Sequence, residues 1–171
     1  MEHLRELVRD IPDFPIPGIL FRDVTPLLRD PGGLREVVDR FAAEYREAGI
    51  DAVAGIESRG FVFGAPVAMA LGVGFVPIRK PGRLPHDKVS REYALEYGTS
   101  VLEMHADAVR PGERVLVVDD LLATGGTARA GAHLVEALGA TVAACAFVIE
   151  LEFLEGRRAL EGYEVLSLIR Y

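Results

Sequence analysis

The sequence predicts an α/β protein with a mainly parallel central sheet and helices on both faces of that sheet. Short apolar runs rich in β-branched residues alternate with segments of helical periodicity. The run Val115–Asp119 has the uniform apolar character of a central strand that is covered on both sides. Alternating strands and helices produce parallel sheets with right-handed crossovers, and ligands bind at the carboxyl ends of such strands.

Length and composition restrict the class of protein. A chain of 171 residues is long enough for one well-packed domain, which we expect to span 1–171. No apolar run is long enough to span a bilayer, and the charged start does not resemble a signal peptide. The single cysteine, Cys145, lies in an apolar run and is predicted to be a core residue. We therefore expect a cytoplasmic protein without membrane contacts, and the net charge of −7 argues against a nucleic-acid-binding surface.

Local patterns predict the individual elements. His3–Asp10 is predicted as a short amphipathic helix, and the Pro-rich segment after it predicts an irregular chain over 11–26. Asp30 is predicted to cap the next helix, which carries apolar residues at helical spacing and ends before Gly49. The later elements are predicted as a strand at 51–56, a helix at 61–71, strands at 74–78 and 115–119, a helix to about 138, a strand at 141–149, a short helix near 153–160 and a strand near 164–169.

The segment from Val115 to Thr127 contains the strongest functional pattern. A buried strand ends in Asp119 and Asp120, and the sequence Ala-Thr-Gly-Gly-Thr at 123–127 then opens a helix. Glycines let consecutive amide groups converge, and a helix N-terminus adds partial positive charge, so this turn suits a phosphate group. The two carboxylates can accept hydrogen bonds from ribose hydroxyl groups and can help to hold Mg²⁺ through water. A plain strand end with solvated charges would explain the two acids alone, but not the whole segment.

This segment resembles the phosphoribosyl pyrophosphate motif of type I phosphoribosyltransferases, and its sequence is closest to that of the adenine-specific members. The resemblance implies the type I fold with an N-terminal hood at 11–28 and a flexible lid loop at 79–99. It also implies transfer of the phosphoribosyl group of 5-phosphoribosyl 1-pyrophosphate to N9 of adenine, giving AMP and pyrophosphate in purine salvage. The implied cofactor is Mg²⁺, held mainly by substrate and water near Asp119 and Asp120, and the implied assembly is a homodimer.

Within that motif, the resemblance assigns the phosphoribosyl group to two carboxylates and a turn. The residues are Asp119, Asp120, Ala123, Thr124, Gly125, Gly126 and Thr127.

Two further loops are predicted to serve the pyrophosphate. The turn 57–60, Glu-Ser-Arg-Gly, follows a strand and resembles the family's pyrophosphate loop. This resemblance implies that Ser58 and Arg59 bind the pyrophosphate. The long connection 79–99 is rich in basic residues in its first part and is predicted to be a lid that keeps water from the reacting bond. The alternative is a mobile basic surface loop without a catalytic role.

The lid residues take their roles from the same resemblance. Lys80 and Arg83 would bind the pyrophosphate, Glu96 would be the catalytic proton handler near adenine N7, and Tyr97 would help to close the lid. The segment 93–97 is predicted as a candidate strand of a hairpin.

The segment 12–28 is predicted to select the base. Its prolines hold backbone donors and acceptors in fixed positions, where they can read the edge of a purine. Composition alone favours Phe21 as a core residue, whereas the resemblance makes it a stacking platform for adenine. By the same resemblance Leu20 and Arg22 belong to the adenine site, with Arg22 as its anchor, and Leu121 would pack against the other face of the base.

Two alternatives remain at this point. A phosphoribosyltransferase for hypoxanthine, xanthine or orotate could use the same phosphate turn, although the 12–28 segment argues against it. A non-catalytic regulator that senses phosphoribosyl pyrophosphate would need an added DNA-binding domain or a basic face, and this acidic sequence shows neither.

Overall fold

Five helices and nine strands make up the regular structure of the computed structural model, which describes residues 2–94 and 98–171. The elements of the described chain follow in order. They are α1 (Glu2–Glu6), β1 (Arg9–Ile11), β2 (Phe21–Asp23), α2 (Thr25–Arg29), α3 (Pro31–Tyr45), β3 (Ala52–Ile56), α4 (Arg59–Leu71), β4 (Gly74–Ile78), β5 (Lys88–Ala94), β6 (Thr99–His105), β7 (Arg114–Leu122), α5 (Gly126–Ala137), β8 (Thr141–Glu150), two short 3₁₀ helices (Glu152–Leu154 and Gly156–Leu160) and β9 (Val165–Arg170).

A parallel sheet of five strands forms the centre, in the order β4-β3-β7-β8-β9. Val117 in the middle strand lies opposite Ala54 on one side and Cys145 on the other. Cys145 is fully buried, as predicted, and burial raises the pKa of its thiol to about 12. A buried thiol of this kind is a core residue rather than a nucleophile.

Both faces of the sheet are covered, because the residues of β7 alternate between two apolar clusters. Leu116 and Val118 face one cluster, which also contains Phe41 of α3 and Phe63 of α4. Val115 and Val117 face the other cluster, with residues of α5 and of the β5–β6 hairpin. The predicted α/β class, with a parallel sheet and helices on both faces, is confirmed.

The helices are short and follow local signals. Asp30 caps α3 as predicted, since its side chain accepts a hydrogen bond of 2.7 Å from the Gly33 amide. The helix ends at Tyr45, four residues before Gly49. In the described ranges no helix is both long and apolar enough to cross a membrane.

The N-terminal prediction was wrong in two respects. The predicted helix His3–Asp10 stops at Glu6, and its last residues begin the strand β1. The segment predicted as irregular contains β2, which pairs antiparallel with β1, and the helix α2. Three-residue strands are fixed by the partner strand rather than by their own pattern, so their sequence did not reveal them.

Three later predictions also need correction. The strand β7 continues to Leu122, so Asp119 and Asp120 lie within it, because its pairing with β8 extends to Leu122 and Glu150. The lid segment is more regular than predicted, since β5 and β6 form an antiparallel hairpin; the candidate strand 93–97 lies partly outside the described residues. The short helix predicted near 153–160 is divided into two 3₁₀ helices, Glu152–Leu154 and Gly156–Leu160.

Candidate active site

A cavity of about 340 Å³ opens at the carboxyl ends of β3 and β7. Its walls come from the turn after β3, the turn after β7 and the chain around the β5–β6 hairpin, with Tyr93 among the lining residues. It brings together ten of the predicted site residues, namely Ser58, Arg59, Lys80, Asp119, Asp120, Leu121, Ala123, Thr124, Gly125 and Thr127. Gly126 follows directly as the first residue of α5.

The turn 123–127, called the phosphate cradle below, presents the N-terminus of α5 to this cavity. Gly125 caps the helix with a φ of +83°, a left-handed conformation that favours glycine. Its carbonyl oxygen accepts the first helical hydrogen bond, 2.9 Å from the Arg129 amide. The amides at the start of a helix lack helical partners and carry partial positive charge, so the cradle is suited to an anion.

The two aspartates at the end of β7 have different surroundings. Asp120 is buried and accepts a hydrogen bond from Nε of Arg59, with which it forms an ion pair. Burial and the neighbouring Asp120 raise the pKa of Asp119 well above its ordinary value. Burial alone would lower the pKa of Arg59, but Asp120 and then Asp119 outweigh it and raise that pKa. The Asp120 carboxylate and the Arg59 guanidinium are therefore in direct contact at the wall of the cavity.

Gly60 allows the close approach on which this arrangement depends. A Cβ atom at this position would lie 2.8 Å from the Val118 carbonyl oxygen and 3.0 Å from Oδ1 of Asp119. The first turn of α4 can thus pack directly against the end of β7, which carries Arg59 towards Asp120.

The half-buried carboxylate of Glu57 and the buried carboxylate of Glu103 hold the first part of the lid segment. Glu57 accepts hydrogen bonds from the Lys80 amide at 3.0 Å and from two guanidinium nitrogens of Arg79 at 3.2 Å. Burial raises the pKa of Glu57, but these hydrogen bonds outweigh it and lower that pKa overall. Glu103 accepts from the Gly82 amide at 3.0 Å. Lys80 is thereby held at the cavity, whereas the side chain of Arg83 is exposed and does not line it. The Glu57–Ser58 peptide bond is cis.

The hood approaches the cavity through Phe21, which lies beside Arg59 but does not line the cavity itself. Its ring packs edge-on against Phe14 at 5.2 Å between centroids, and the Arg59 guanidinium lies 5.7 Å from its centre. Leu20 is 46% exposed beside it. Arg22 points elsewhere, since it pairs with Asp10 and stacks on the Tyr171 ring at 3.7 Å. Arg22 therefore holds the hood strand β2 against the last strand region of the chain.

Some residues of the site were not predicted, and two of the predicted ones lie outside the described chain. The predicted proton handler Glu96 and the lid residue Tyr97 are outside the described residues. Glu57, Glu103 and Tyr93 were missed as site residues. A carboxylate at a strand end was the available signal for Glu57, whereas Glu103 and Tyr93 reach the site through a hairpin whose register the sequence does not specify.

A Mg²⁺ ion fits this site only if water and the substrate supply most of its ligands. Within residues 2–94 and 98–171, no three His, Cys, Asp or Glu side chains cluster closely enough to hold a metal ion. Asp119 and Asp120 offer hard oxygen atoms at the cavity, which suits Mg²⁺ bound mainly by water and phosphate oxygens.

Comparisons with known proteins agree with this geometry. Residues 27–165 match the model of the phosphoribosyl transferase domain. An adenine phosphoribosyltransferase of Methylococcus capsulatus is 61% identical over 171 residues, which cover 100% of both chains. The chain belongs to the adenine phosphoribosyltransferase family.

Solved structures of this family have the same fold. The adenine phosphoribosyltransferase of Thermoanaerobacter pseudethanolicus superposes with a TM-score of 0.97 at 52% identity, over 99% of each chain. The enzyme of Saccharomyces cerevisiae, solved with an iminoaltritol bisphosphate and adenine, gives a TM-score of 0.93 at 43% identity, over 98% of this chain and 97% of that one. The family and the type I fold expected from the sequence are confirmed.

Proposed function

We propose that this protein transfers the phosphoribosyl group of 5-phosphoribosyl 1-pyrophosphate to N9 of adenine, releasing AMP and pyrophosphate. The observation that carries the proposal is one cavity that unites an anion-binding helix N-terminus, a buried carboxylate and the guanidinium paired with it. The relatives of this chain, at up to 61% identity over full length, are named for this activity.

The cavity accommodates the parts of the substrate in a linear order. The 5′-phosphate would bind the amides of the cradle, from Ala123 to Thr127, and the ribose hydroxyl groups would donate to Asp119 and Asp120. The pyrophosphate would lie between Arg59 and Lys80, with Ser58 beside it and Arg83 reaching it from the lid. The lining of the cavity supports this assignment, because the cradle, the two aspartates, Arg59 and Lys80 all contribute to it.

Adenine would bind between the hood and the cradle. Phe21 offers an aromatic face beside Arg59, and Leu121 lies on the cavity wall. The backbone around Leu20–Arg22 would read the edge of the purine, while Arg22 anchors this strand through Asp10 and Tyr171. The yeast relative was solved in complex with adenine, which supports the presence of a base site in this family.

In the reaction, the bond between ribose C1 and the pyrophosphate oxygen breaks, and the pyrophosphate leaves with the electron pair. Positive charge grows on the ribose ring, as in glycoside cleavage, and N9 forms the new bond from the opposite face. Glu96 would take up the proton that adenine loses. Holding both reactants in line lowers the entropic part of the barrier, and a closed lid keeps water away from C1.

Bound Mg²⁺ would supply charge neutralisation for the pyrophosphate. Asp119 and Asp120 would hold it through water, with the remaining ligands coming from the substrate. Arg59 would then exchange its pairing with Asp120 for the pyrophosphate.

We further propose a cytoplasmic homodimer built as one domain. Helix α4 supports the dimer, because its outer face presents Val62, Pro66 and Met69 at helical spacing, and Met69 is 82% exposed. Light scattering at micromolar concentration tests the assembly, and a monomer there would contradict this part of the proposal.

A panel of bases tests the function. Pyrophosphate release from phosphoribosyl pyrophosphate is followed with adenine, hypoxanthine, guanine, xanthine and orotate, each with Mg²⁺. We expect turnover with adenine. Turnover with another base in its place would contradict the assignment, and binding without turnover would indicate a sensor.

The role of Glu96 is tested by Glu96→Ala. We expect kcat to fall by about 10²- to 10⁴-fold with little change in KM, because a general acid–base group acts in the transition state. Glu92→Ala, which changes an exposed acid of β5 four positions earlier in the sequence, is the matched control and should behave as the wild type. A raised KM with unchanged kcat would remove the proton-handling role.

A further inference from the structure

The 3₁₀ turn Gly156–Leu160 packs directly behind the phosphate cradle, although it lies about 30 residues further along the chain. A Cβ atom at Gly156 would overlap the carbonyl oxygen of Ala123 and lie 2.9 Å from a methyl carbon of Leu122. A Cβ atom at Gly125 would in turn overlap the carbonyl oxygen of Gly156 and lie 2.8 Å from the Ala159 side chain. Backbone therefore meets backbone at this contact, with the side chains of Leu122 and Ala159 beside it.

The turn is itself fixed to the sheet by an ion pair between the partly exposed Arg157 and the buried Glu150. Arg157 donates to both carboxylate oxygens of Glu150, from Nε at 2.7 Å and from Nη2 at 2.8 Å, and Nη1 donates to the Val165 carbonyl at 3.0 Å. Burial raises the pKa of Glu150, but the hydrogen bonds and positive charges around it, those of Arg157 foremost, together outweigh burial and lower that pKa. Bidentate pairs of this kind fix orientation as well as distance.

This ion pair is connected to the cradle through the sheet. Glu150 lies opposite Leu122 in the register of β8 and β7, and the Leu151 amide donates to the Leu122 carbonyl at 2.9 Å. Leu122 is the residue before the cradle. After Glu150 the chain therefore leaves the sheet beside the cradle and turns through the two 3₁₀ helices. Arg157, in the second of these helices, then binds back to Glu150.

We infer that Gly156 is a positioning residue for phosphoribosyl pyrophosphate binding, and that the Arg157–Glu150 pair holds it against the back of the cradle. Gly156 does not line the cavity, so its effect on the substrate passes through Ala123 and Gly125. An amide cradle binds phosphate well only when its N–H groups are held in a converging arrangement, and a rigid wall behind the turn prevents it from relaxing outwards. The inference rests on the proposed function, because it assigns the cradle to the 5′-phosphate.

The test is Gly156→Ala, with Gly74→Ala as the matched control. A Cβ atom at Gly74 meets nothing within 4 Å, and Gly74 has no positive φ, so this control changes the same atoms in open space. We expect Gly156→Ala to lower kcat/KM for phosphoribosyl pyrophosphate by roughly 10- to 100-fold, since displacements of about 1 Å have effects of that size. We also expect weaker binding of ribose 5-phosphate by calorimetry and an unchanged KM for adenine at saturating phosphoribosyl pyrophosphate.

A purely structural role would give a different pattern. If Gly156→Ala lowers the melting temperature but keeps the wild-type affinity for ribose 5-phosphate, the positioning role is overturned. If the Gly156→Ala variant does not fold, the KM values of Arg157→Met and Arg157→Lys for phosphoribosyl pyrophosphate test the positioning role instead. A raised KM for phosphoribosyl pyrophosphate in Arg157→Met that is partly restored by the lysine supports the role, and an unchanged KM overturns it.

The wild-type protein separates this inference from the proposed function. Wild-type protein that releases no pyrophosphate with adenine contradicts the function, whatever the variants do. An active wild type with an equally active Gly156→Ala variant contradicts the positioning role alone.

Discussion

The phosphate cradle and the hood are proposed to bind opposite ends of the nucleotide, and the chain holds the two regions in different ways. The cradle joins a central strand to α5 and is packed against Gly156, with the buried Leu122 beneath it. The hood (11–28) contains a Pro-rich loop, the three-residue strand β2 that pairs with β1, and most of α2, and the apolar side chains of its loop are half exposed. These are Phe14 at 50%, Ile16 at 57%, Ile19 at 45% and Leu20 at 46%.

The difference follows from what each end must recognise. A phosphate requires several donors at fixed positions, so its site needs a rigid wall. A purine is bound largely by stacking and apolar contact, which tolerate adjustment, and the base itself can complete the packing of the hood. We therefore expect substitutions in the cradle to be more damaging than substitutions in the hood, and to affect a different substrate.

Gly125→Ala should have the largest effect, because it opposes both the positive φ of +83° and the contact with the Gly156 carbonyl. We expect kcat/KM for phosphoribosyl pyrophosphate to fall by about 100-fold, with the affinity for adenine much less affected. Steady-state kinetics with each substrate varied in turn measure this, and Gly74→Ala is the control. Equal losses for both substrates would argue against a separate phosphate end.

Asp120→Asn should have the second-largest effect. It removes the ionised partner of Arg59 and an acceptor for the ribose hydroxyl groups. Hydrogen bonds to a charged group contribute about 1.5–3 kcal/mol, so we expect a loss of about 10- to 100-fold in kcat/KM for phosphoribosyl pyrophosphate. Asp39→Asn, an exposed acid on α3, should leave the kinetics unchanged. Wild-type kinetics for Asp120→Asn would remove the role assigned to this carboxylate.

Phe21→Ala should weaken the binding of adenine rather than that of phosphoribosyl pyrophosphate. Loss of a stacking platform weakens base binding by about 1–3 kcal/mol, so KM for adenine should rise while KM for phosphoribosyl pyrophosphate stays the same. The control is Phe153→Ala, since Phe153 is 71% exposed and belongs to the turn after β8. A reduced melting temperature with an unchanged KM for adenine would mean that Phe21 is a core residue after all.

Tyr171→Leu should have the smallest effect. Its ring lies under the guanidinium groups of Arg22 and Arg5, which fasten the hood strand β2 and α1. Cation–π contacts at exposed positions contribute about 0.5–1 kcal/mol, so we expect a rise of a few fold in KM for adenine. Tyr171→Phe keeps the aromatic face and should restore the wild-type value. If the phenylalanine and leucine variants behave alike, the ring does not support the hood.

The sequence predicted the cradle well because its signals are local. The apolar strand, the paired acids and the glycine turn occupy one continuous segment, and ten predicted residues from three segments line one cavity. Parallel strands bring their carboxyl ends to one edge of the sheet, so Ser58 and Arg59 could be expected beside Asp119 and Asp120 before any contact was known.

The sequence did not predict what holds these loops in place. Gly156 contacts the cradle only because the 3₁₀ turn returns to Glu150, and Glu103 reaches Gly82 only because β6 lies beside the lid segment. The strands β1 and β2 form from three residues each by pairing across the Pro-rich loop. Such contacts join positions that are far apart in the sequence, so they cannot be predicted from the residues next to each of them.

A crystal structure of the protein with AMP tests the account most directly. We expect the 5′-phosphate to accept hydrogen bonds from the backbone amides between Ala123 and Thr127, the ribose to contact Asp119 or Asp120, and the purine to stack on Phe21. A nucleotide bound at another place, with its phosphate away from the start of α5, would contradict the account.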